Sequence, residues 1–485
     1  MKKWLLAFAL GVSVLVHVQA QQKYTLQQCI TIALENNLQL RQLMLQVQTN
    51  QNVFEQSKWQ RYPTLNFSGS QGLQSGRNID PFTNQFVEQT VNFSNFSVNT
   101  GVNLFNGYQQ KNIIKQNQTN VLATQKDVES NRNTLILNVA SSYISVLNNQ
   151  EQLEFARRQA ETTRLQLDRT DRLVKAGSLS QINLYDIQSQ LANDELSIVN
   201  AQNNIELSKL TLKQLLNLPA SEVFEITPIA LPAPSTTTPY DATLEQVYNA
   251  AIKYLPDLDA ANLRIESAKT GIEIAKGAKL PSITLGGGLS SSFSSAAPKQ
   301  RFVGDGGASR VVDVPSTTRY VSYGGFTVPV IEKVTVPSGA IQDFGYFDQL
   351  NFNRNASLSL SLRMPIFNGY QVKYRIANAM IQQKNLEYQA QIVQNQIRQT
   401  VEQAYYSMVN AAKRYEATSR QIESLELSFK AAELRFNAGA INATEYNIAK
   451  NNLDRSRASL IQAKYEYLFR TKILDFYQSK PISLE

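Results

Sequence analysis

Histidine and cysteine carry much of the nucleophilic, acid–base and metal chemistry of proteins, and this chain of 485 residues has one of each. His17 lies in "MKKWLLAFALGVSVLVHVQA", where two lysines, an apolar run from Trp4 to Val16 and short side chains at Val18 and Ala20 make an export signal cut after Ala20. The mature chain then begins near Gln21 without histidine, which removes Ser-His and Cys-His nucleophiles and most transition-metal sites. Cys29 falls within the helical pattern "TLQQCITIALENN", away from the cut where a lipid anchor would need it, and reads as a small buried residue. No Gly-rich or strand-end context presents a carboxylate pair as acid and base. The expectation is a protein without catalytic, cofactor or metal sites, and not an enzyme.

Formal charge falls from +8 to +6 when Lys2 and Lys3 leave with the signal, and the excess is thinly spread. No block of like charges suggests nucleic-acid binding. Beyond residue 20 no apolar run is long enough for a membrane helix, which leaves a β-barrel as the route across a bilayer.

Two internal offsets relate most of the chain to itself. "TLQQCITIAL" at 25–34 matches "TLEQVYNAAI" at 243–252, and "YPTLNFSGS" at 62–70 matches "LPSITLGGG" at 280–288, an offset of 218. "LFNGYQQKN" at 104–112 matches "IFNGYQVKY" at 366–374, and "VKAGSLSQINLYDIQSQL" at 174–191 matches "FNAGAINATEYNIAKNNL" at 436–453, an offset of 262. The two offsets differ by 44, so the second copy carries an insertion between Pro281 and Phe367. Its "SSSFSSAAPKQRFVGDGGASR" is polar and Gly-rich, as expected of a long exposed loop, and a longer hairpin is the alternative.

Apolar residues recur every seven positions through Val139, Val146, Leu153, Ala160, Leu167 and Val174, and through Val401, Met408, Tyr415, Ile422, Phe429 and Phe436. Leu184 to Leu212 and Tyr446 to Leu474 continue in the same way, so coiled-coil packing of helices is expected. The stretch 107–175 has no proline, and as a helix it would run about 100 Å at 1.5 Å per residue. "NASLSLSLRMPIF" at 355–367 and "FSVNTGVNLF" at 96–105 alternate apolar with small polar residues. That pattern suits a strand between lipid and water and equally a half-buried soluble hairpin. Four such strands cannot enclose a water-filled pore and would leave open edges, so in a membrane several chains must share one barrel.

The order of helix, hairpin, strand ending in "FNGY", very long helix, "AGSLSQINLYD" or "AGAINATEYN" tip and returning helix, all duplicated, resembles the TolC family of outer-membrane efflux proteins over residues 21–480. The resemblance implies a mixed α and β homotrimer, mostly long coiled-coil helices forming an α-barrel, with four transmembrane strands per chain in a shared twelve-stranded barrel. It divides the chain into a signal peptide (1–20), a first repeat (21–218: hairpin 62–105, long helix 107–175, helix 180–217), an equatorial linker (219–242) and a second repeat (243–480: hairpin 281–367, long helix 369–437, helix 441–475). It implies an outer-membrane location with a long periplasmic extension. It also implies passive conduction with a periplasmic membrane-fusion adaptor and an inner-membrane pump as partners.

Adaptor docking would fall on the tips, Ala176, Gly177, Ser178 and Leu179 with Ala438, Gly439, Ala440 and Ile441. Helix reversal alone also accounts for the glycines, with Ser180 or Asn442 capping the returning helix. The resemblance places Asn183, Phe436, Glu445 and Ile448 near the periplasmic constriction, with Glu445 alternatively a solvated surface acid. Ile448, Phe436, Asn183 and Ile441 depart from the family pattern, so closure would use other contacts, and an apolar ring can also exclude ions. Phe105, Asn106, Gly107 and Tyr108, with Phe367, Asn368, Gly369 and Tyr370, would join barrel to tube. Leu104 and Ile366 end the lipid-facing rows there, Phe105 and Phe367 lie on the other face, and the Asn-Gly pair supplies backbone freedom. Small-molecule (drug or metal) efflux is the leading expectation. A type I protein-secretion duct is the alternative, and a non-conducting periplasmic coiled-coil spacer a more remote one.

Overall fold

The computed structural model describes residues 23–79, 84–88, 90–219, 221–228, 240–480 and 482. The expected signal peptide and residues 220 and 229–239 of the expected linker lie outside these.

In chain order the elements are β1 (Lys23–Tyr24), α1 (Leu26–Asn36), α2 (Leu38–Trp59), β2 (Thr64–Gln74), β3 (Arg77–Ile79), β4 (Phe86–Glu88), β5 (Val91–Asn106), α3 (Gln109–Lys175) and α4 (Gln181–Leu215). There follow β6 (Glu225–Ile226), α5 (Leu244–Tyr254), α6 (Pro256–Gly277), β7 (Ser282–Ser294), β8 (Gln300–Gly304), β9 (Arg310–Tyr323), β10 (Phe326–Val336) and β11 (Gly339–Asp343). The chain ends with α7 (Tyr346–Phe352), β12 (Asn355–Arg363), α8 (Gln371–Asn437) and α9 (Ala443–Tyr477). Lengths recur: α1 and α5 have 11 residues each, α2 and α6 have 22, α3 and α8 have 67, and α4 and α9 have 35. Among the described residues no helix is long and apolar enough to cross a membrane.

The chain forms two units, a helical one (residues 1–54, 115–270 and 379–485) and a sheet-bearing one (55–114 and 271–378). In the helical unit the seven-residue lines are the packed faces. Val139, Val146 and Val401 are fully buried and Met408 nearly so. Their cluster takes in α1 through Leu26, Cys29, Ile30 and Ala33, and α5 through Val247 and Ala251. Thr25 and Thr243 start these two short helices with the same capping box, each hydroxyl accepting the amide of a Gln three residues on. Cys29 has no exposed surface, and burial raises its thiol pKa to about 12. Beside it β1 pairs in parallel with β6, and Tyr143 donates its hydroxyl hydrogen to the carbonyls of Tyr24 and Thr227, at 3.2 and 3.1 Å.

In the sheet-bearing unit the strand order is β12-β7-β5-β2, antiparallel throughout. Register lines apolar residues up across the strands: Leu360 faces Leu285, which faces Val102, and Ala356 faces Leu289, which faces Val98 and then Phe67. The other face carries Ser357, Gly288, Asn99 and Asn66 in one row, and Ser361, Thr284 and Asn103 in another. Apolar side chains on the first face stand open, with Leu65 at 75% and Leu358 at 81% exposure. Within this sheet β2 and β12 are the edges.

Three expectations need correction. Ladder pairing ends at Arg363, so Met364 and Ile366 do not extend the row; Pro365 has no amide hydrogen to give. A bulge between Asn103 and Phe105 sets Phe105 opposite Ile283, on the apolar face rather than the other. The insertion takes the longer-hairpin form rather than the loop, as nested ribbon: β8 pairs with β11, and inside that pair β9 pairs with β10. Val311, Val312, Val314 and Val321 supply branched strand residues, and Gly324 and Gly325, at φ of 62° and 85°, make the tight turn.

Candidate functional site

Both helix tips end in the same backbone motif. At the first, Gly177 has φ of 76°, its amide donates to the Val174 carbonyl (3.0 Å), and the Ser178 amide donates to Leu173 (2.8 Å). At the second, Gly439 has φ of 70°, its amide donates to Phe436 (3.0 Å), and the Ala440 amide donates to Arg435 (2.8 Å). These are paired Schellman closures, and a left-handed residue is what each requires. The next helices start on Ser180, which accepts from the Ile182 amide at 3.4 Å, and Asn442, which accepts from the Glu445 amide at 2.8 Å. Ala176, Gly177, Ser178, Ala438, Gly439 and Ala440 are exposed, while Leu179 and Ile441 turn inward.

Leu179 and Ile441 pack on a small core of Ile187, Phe436, Ala443 and Tyr446. Phe436 is 2% exposed and stacks on Tyr446 at a centroid distance of 5.0 Å, with Phe429 tilted against the same ring. Burial lifts the Tyr446 hydroxyl to about 12, so it stays protonated. The two tips are also bonded to each other. Asn183, on the first turn of α4, accepts from the Ala443 amide, the first of α9, at 3.3 Å. Of the four candidate constriction residues, Phe436 and Asn183 therefore hold the tips together within one chain, whereas Glu445 and Ile448 present open side chains.

Above the tips lies a buried charge cluster centred on Lys450. Lys450, 3% exposed, donates to Gln159 on α3 (2.9 Å), Asp194 on α4 (3.2 Å) and Asp454 on its own helix (2.8 Å). Asp194 also accepts from the Thr163 hydroxyl and from Gln190 Nε2 (2.8 Å), and Gln190 exchanges two 3.1 Å bonds with Asn451. Desolvation raises the Asp454 pKa, with Lys450 opposing the shift. Spacing held the signal: Lys450 is seven residues after fully buried Ala443, and Asp194 seven after fully buried Ile187. A charge on an inward heptad position must be paired. Among the described residues no group of three or more His, Cys, Asp or Glu is placed to hold a metal ion.

At the two "FNGY" segments the left-handed residues are Gly and Tyr, not Asn and Gly: Gly107 and Tyr108 have φ of 65° and 62°, Gly369 and Tyr370 of 60° and 61°. Asn106 is the last residue of β5, and its side-chain oxygen accepts the Gln110 amide at 3.1 Å, so it caps α3. Asn368 accepts from the Gln371 amide through its backbone carbonyl instead. In each copy Phe meets Tyr edge-on, Phe105 with Tyr108 and Phe367 with Tyr370. The copies differ in crowding. A Cβ on Gly107 would overlap the Gly277 carbonyl and one on Gly277 the Gly107 carbonyl, whereas a Cβ on Gly369 would meet open space.

A family model described as outer membrane efflux protein matches residues 29–218 and 338–474. The chain is 27% identical over 183 residues to outer membrane protein TolC of Vibrio cholerae, covering 37% of this chain and 41% of that protein. To the probable outer membrane lipoprotein SilC of Salmonella typhimurium it is 26% identical over 267 residues, 54% of each. To TolC of Escherichia coli it is 21% identical over 342 residues, 70% of this chain and 60% of that protein. The chain thus spans about half the length of these curated relatives. Among solved structures, CusC superposes with a TM-score of 0.72 at 18% identity, covering 94% of this chain and 92% of that one. VceC from Vibrio cholerae superposes with 0.68 at 13% identity, covering 94% and 97%.

Proposed function

This chain belongs to the outer membrane efflux protein family, and from that premise we propose that it is the outer-membrane channel of a tripartite export system. The observation that carries the reading is the four-stranded sheet, apolar and exposed on one face, small and polar on the other, with two open edges. The apolar face does not suit water and the open edges do not suit lipid; closing the sheet into a ring with other copies, apolar face outward, satisfies both.

The internal duplication explains why the edges fit. β7 matches β2 and β12 matches β5, so the seam β5–β7 within the chain joins a second strand of one repeat to a first strand of the other. The open edges, β2 and β12, are that same pair of strand types. Three copies then give twelve strands, in the homotrimer that the family resemblance implies. The helical unit would continue the ring as a periplasmic conduit, with the tips 176–179 and 438–441 receiving an adaptor and, with or through it, an inner-membrane pump.

Cargo follows the pump. Relatives are named for pyoverdine export and for toxin and drug export, and small-molecule efflux remains the leading reading for this chain, with protein secretion as the alternative. Two experiments test the proposal. Purified protein in detergent should be an oligomer that forms pores in planar bilayers; a monodisperse monomer, soluble without detergent, would overturn the channel. A deletion strain scored for drug and metal susceptibility and for secreted proteins separates the cargo classes.

A further inference from the structure

The four-stranded sheet holds a single ionisable side chain. No Asp, Glu, Lys or His occurs in β2, β5, β7 or β12, and the one arginine is Arg363, the last residue of β12. Its ladder partner is Ser282, the first residue of β7, so it stands on the polar face at the end of the sheet where Pro281 and Pro365 bound the strands. The rest of that face near it is neutral: Ser361, Ser359, Thr284, Gly286, Asn103 and Gly101. Among the described residues Arg363 makes no ion pair, and it is exposed.

We propose that Arg363 sets the charge preference of the sheet-lined stretch of the channel, biasing it toward anionic and neutral solutes; this rests on the channel reading above. Hydroxyls and amides offer both donors and acceptors, so a lining of Ser, Thr and Asn favours neither sign of charge. The guanidinium of Arg363 is the one monopole on the face. Repeated once per copy around a ring, it forms a positive collar, and like rings of Arg or Lys in other pores it favours anions.

The test uses the purified full-length oligomer in planar bilayers, comparing wild type, R363S and R363E by reversal potential across a KCl gradient. The anion-to-cation permeability ratio is expected to fall by at least about twofold from wild type to R363E at roughly 0.01 M salt, where the Debye length is roughly 30 Å. R363S should fall between them, and the differences should shrink at roughly 1 M, where the length is roughly 3 Å. Every other charged residue, Glu445 included, is identical in all three proteins, so the comparison isolates position 363. Equal ratios overturn the inference while leaving the channel standing, whereas a wild type that forms no pores removes the channel reading itself. A second variant checks the face. Cys29 is fully buried, so R363C gives the chain one accessible thiol. It should react in proteoliposomes with a charged, bilayer-impermeant thiol reagent; protection from that reagent places residue 363 away from the water path and overturns the proposal.

Discussion

Substituting alanine at Gly107 and at Gly369 separates two demands that the repeated motif makes on its glycine. Both residues sit at positive φ, 65° and 60°, where an L side chain costs roughly 1–2 kcal/mol. That is the whole expected loss for G369A, because nothing lies within 4 Å of the added Cβ. At Gly107 the same Cβ overlaps the Gly277 carbonyl oxygen and comes within 2.9 Å of Leu280 Cβ. The first of these is backbone at the end of α6 and cannot rotate aside, so an overpacking term of about 1–3 kcal/mol is added. G107A should therefore lose about 2–5 kcal/mol in all. The assay is the unfolding midpoint of the purified oligomer in detergent, followed by the shift in electrophoretic mobility between unheated and heated samples. G277A should fall with G107A, since its Cβ meets the Gly107 carbonyl in return. The double variant should lose less than the sum, because one separation of the two backbones relieves both overlaps. A G369A protein as unstable as G107A, or a fully additive double variant, would refute the crowding argument.

Two further expectations concern the helical unit. K450M leaves Asp194 and Asp454 buried without their cation and should cost about 3–5 kcal/mol, with K450M/D454N recovering part of the loss in the same unfolding assay. Because the Asp454 pKa is raised, folding takes up a proton between the usual carboxylate value and the raised one. Stability contributed by Asp454 is therefore greatest below that window and falls as pH rises through it, and D454N should flatten that slope. At the tips, G177V with G439V should abolish export and leave membrane insertion intact, and N183A should speed hydrogen exchange at the Ala443 amide while leaving that of Gly439 unchanged. Normal export, or unaltered exchange at Ala443, would contradict the tip geometry.

Periodicity made most of the fold legible. Seven-residue lines marked the buried face of α3 and α8, and two-residue alternation marked the two faces of the sheet, because both signals come from residues burying one side of a regular element. Tip glycines were legible for the same local reason: a Schellman closure is written in one residue. What stayed hidden depended on pairing at a distance. The bulge that moved Phe105 to the apolar face is a property of β5 against β7. Asn183 shows its use only when α4 and the start of α9 meet. Polar, Gly-rich composition suggested a loop at 290–310, although the valines that follow it and the Gly324–Gly325 turn already spell a ribbon. Lys450 was readable as an inward charge, but two of its acceptors, Gln159 and Asp194, lie on helices far from it in sequence.

The strand order also bears on ancestry and on how little chain the proposed ring would need. The seam within the chain joins β5 to β7, two unlike strands, and in the proposed ring every seam between chains would join the same two types, β2 and β12. On that pattern a half-length chain of one repeat could build a six-membered ring without inventing a new contact. Fusion of two such halves would then have altered only what each half carries: one acquired the ribbon β8 to β11, and only one carries Lys450. The present protein, cut in the segment around 229–239 and expressed as two pieces, is a direct way to ask whether the halves still find each other.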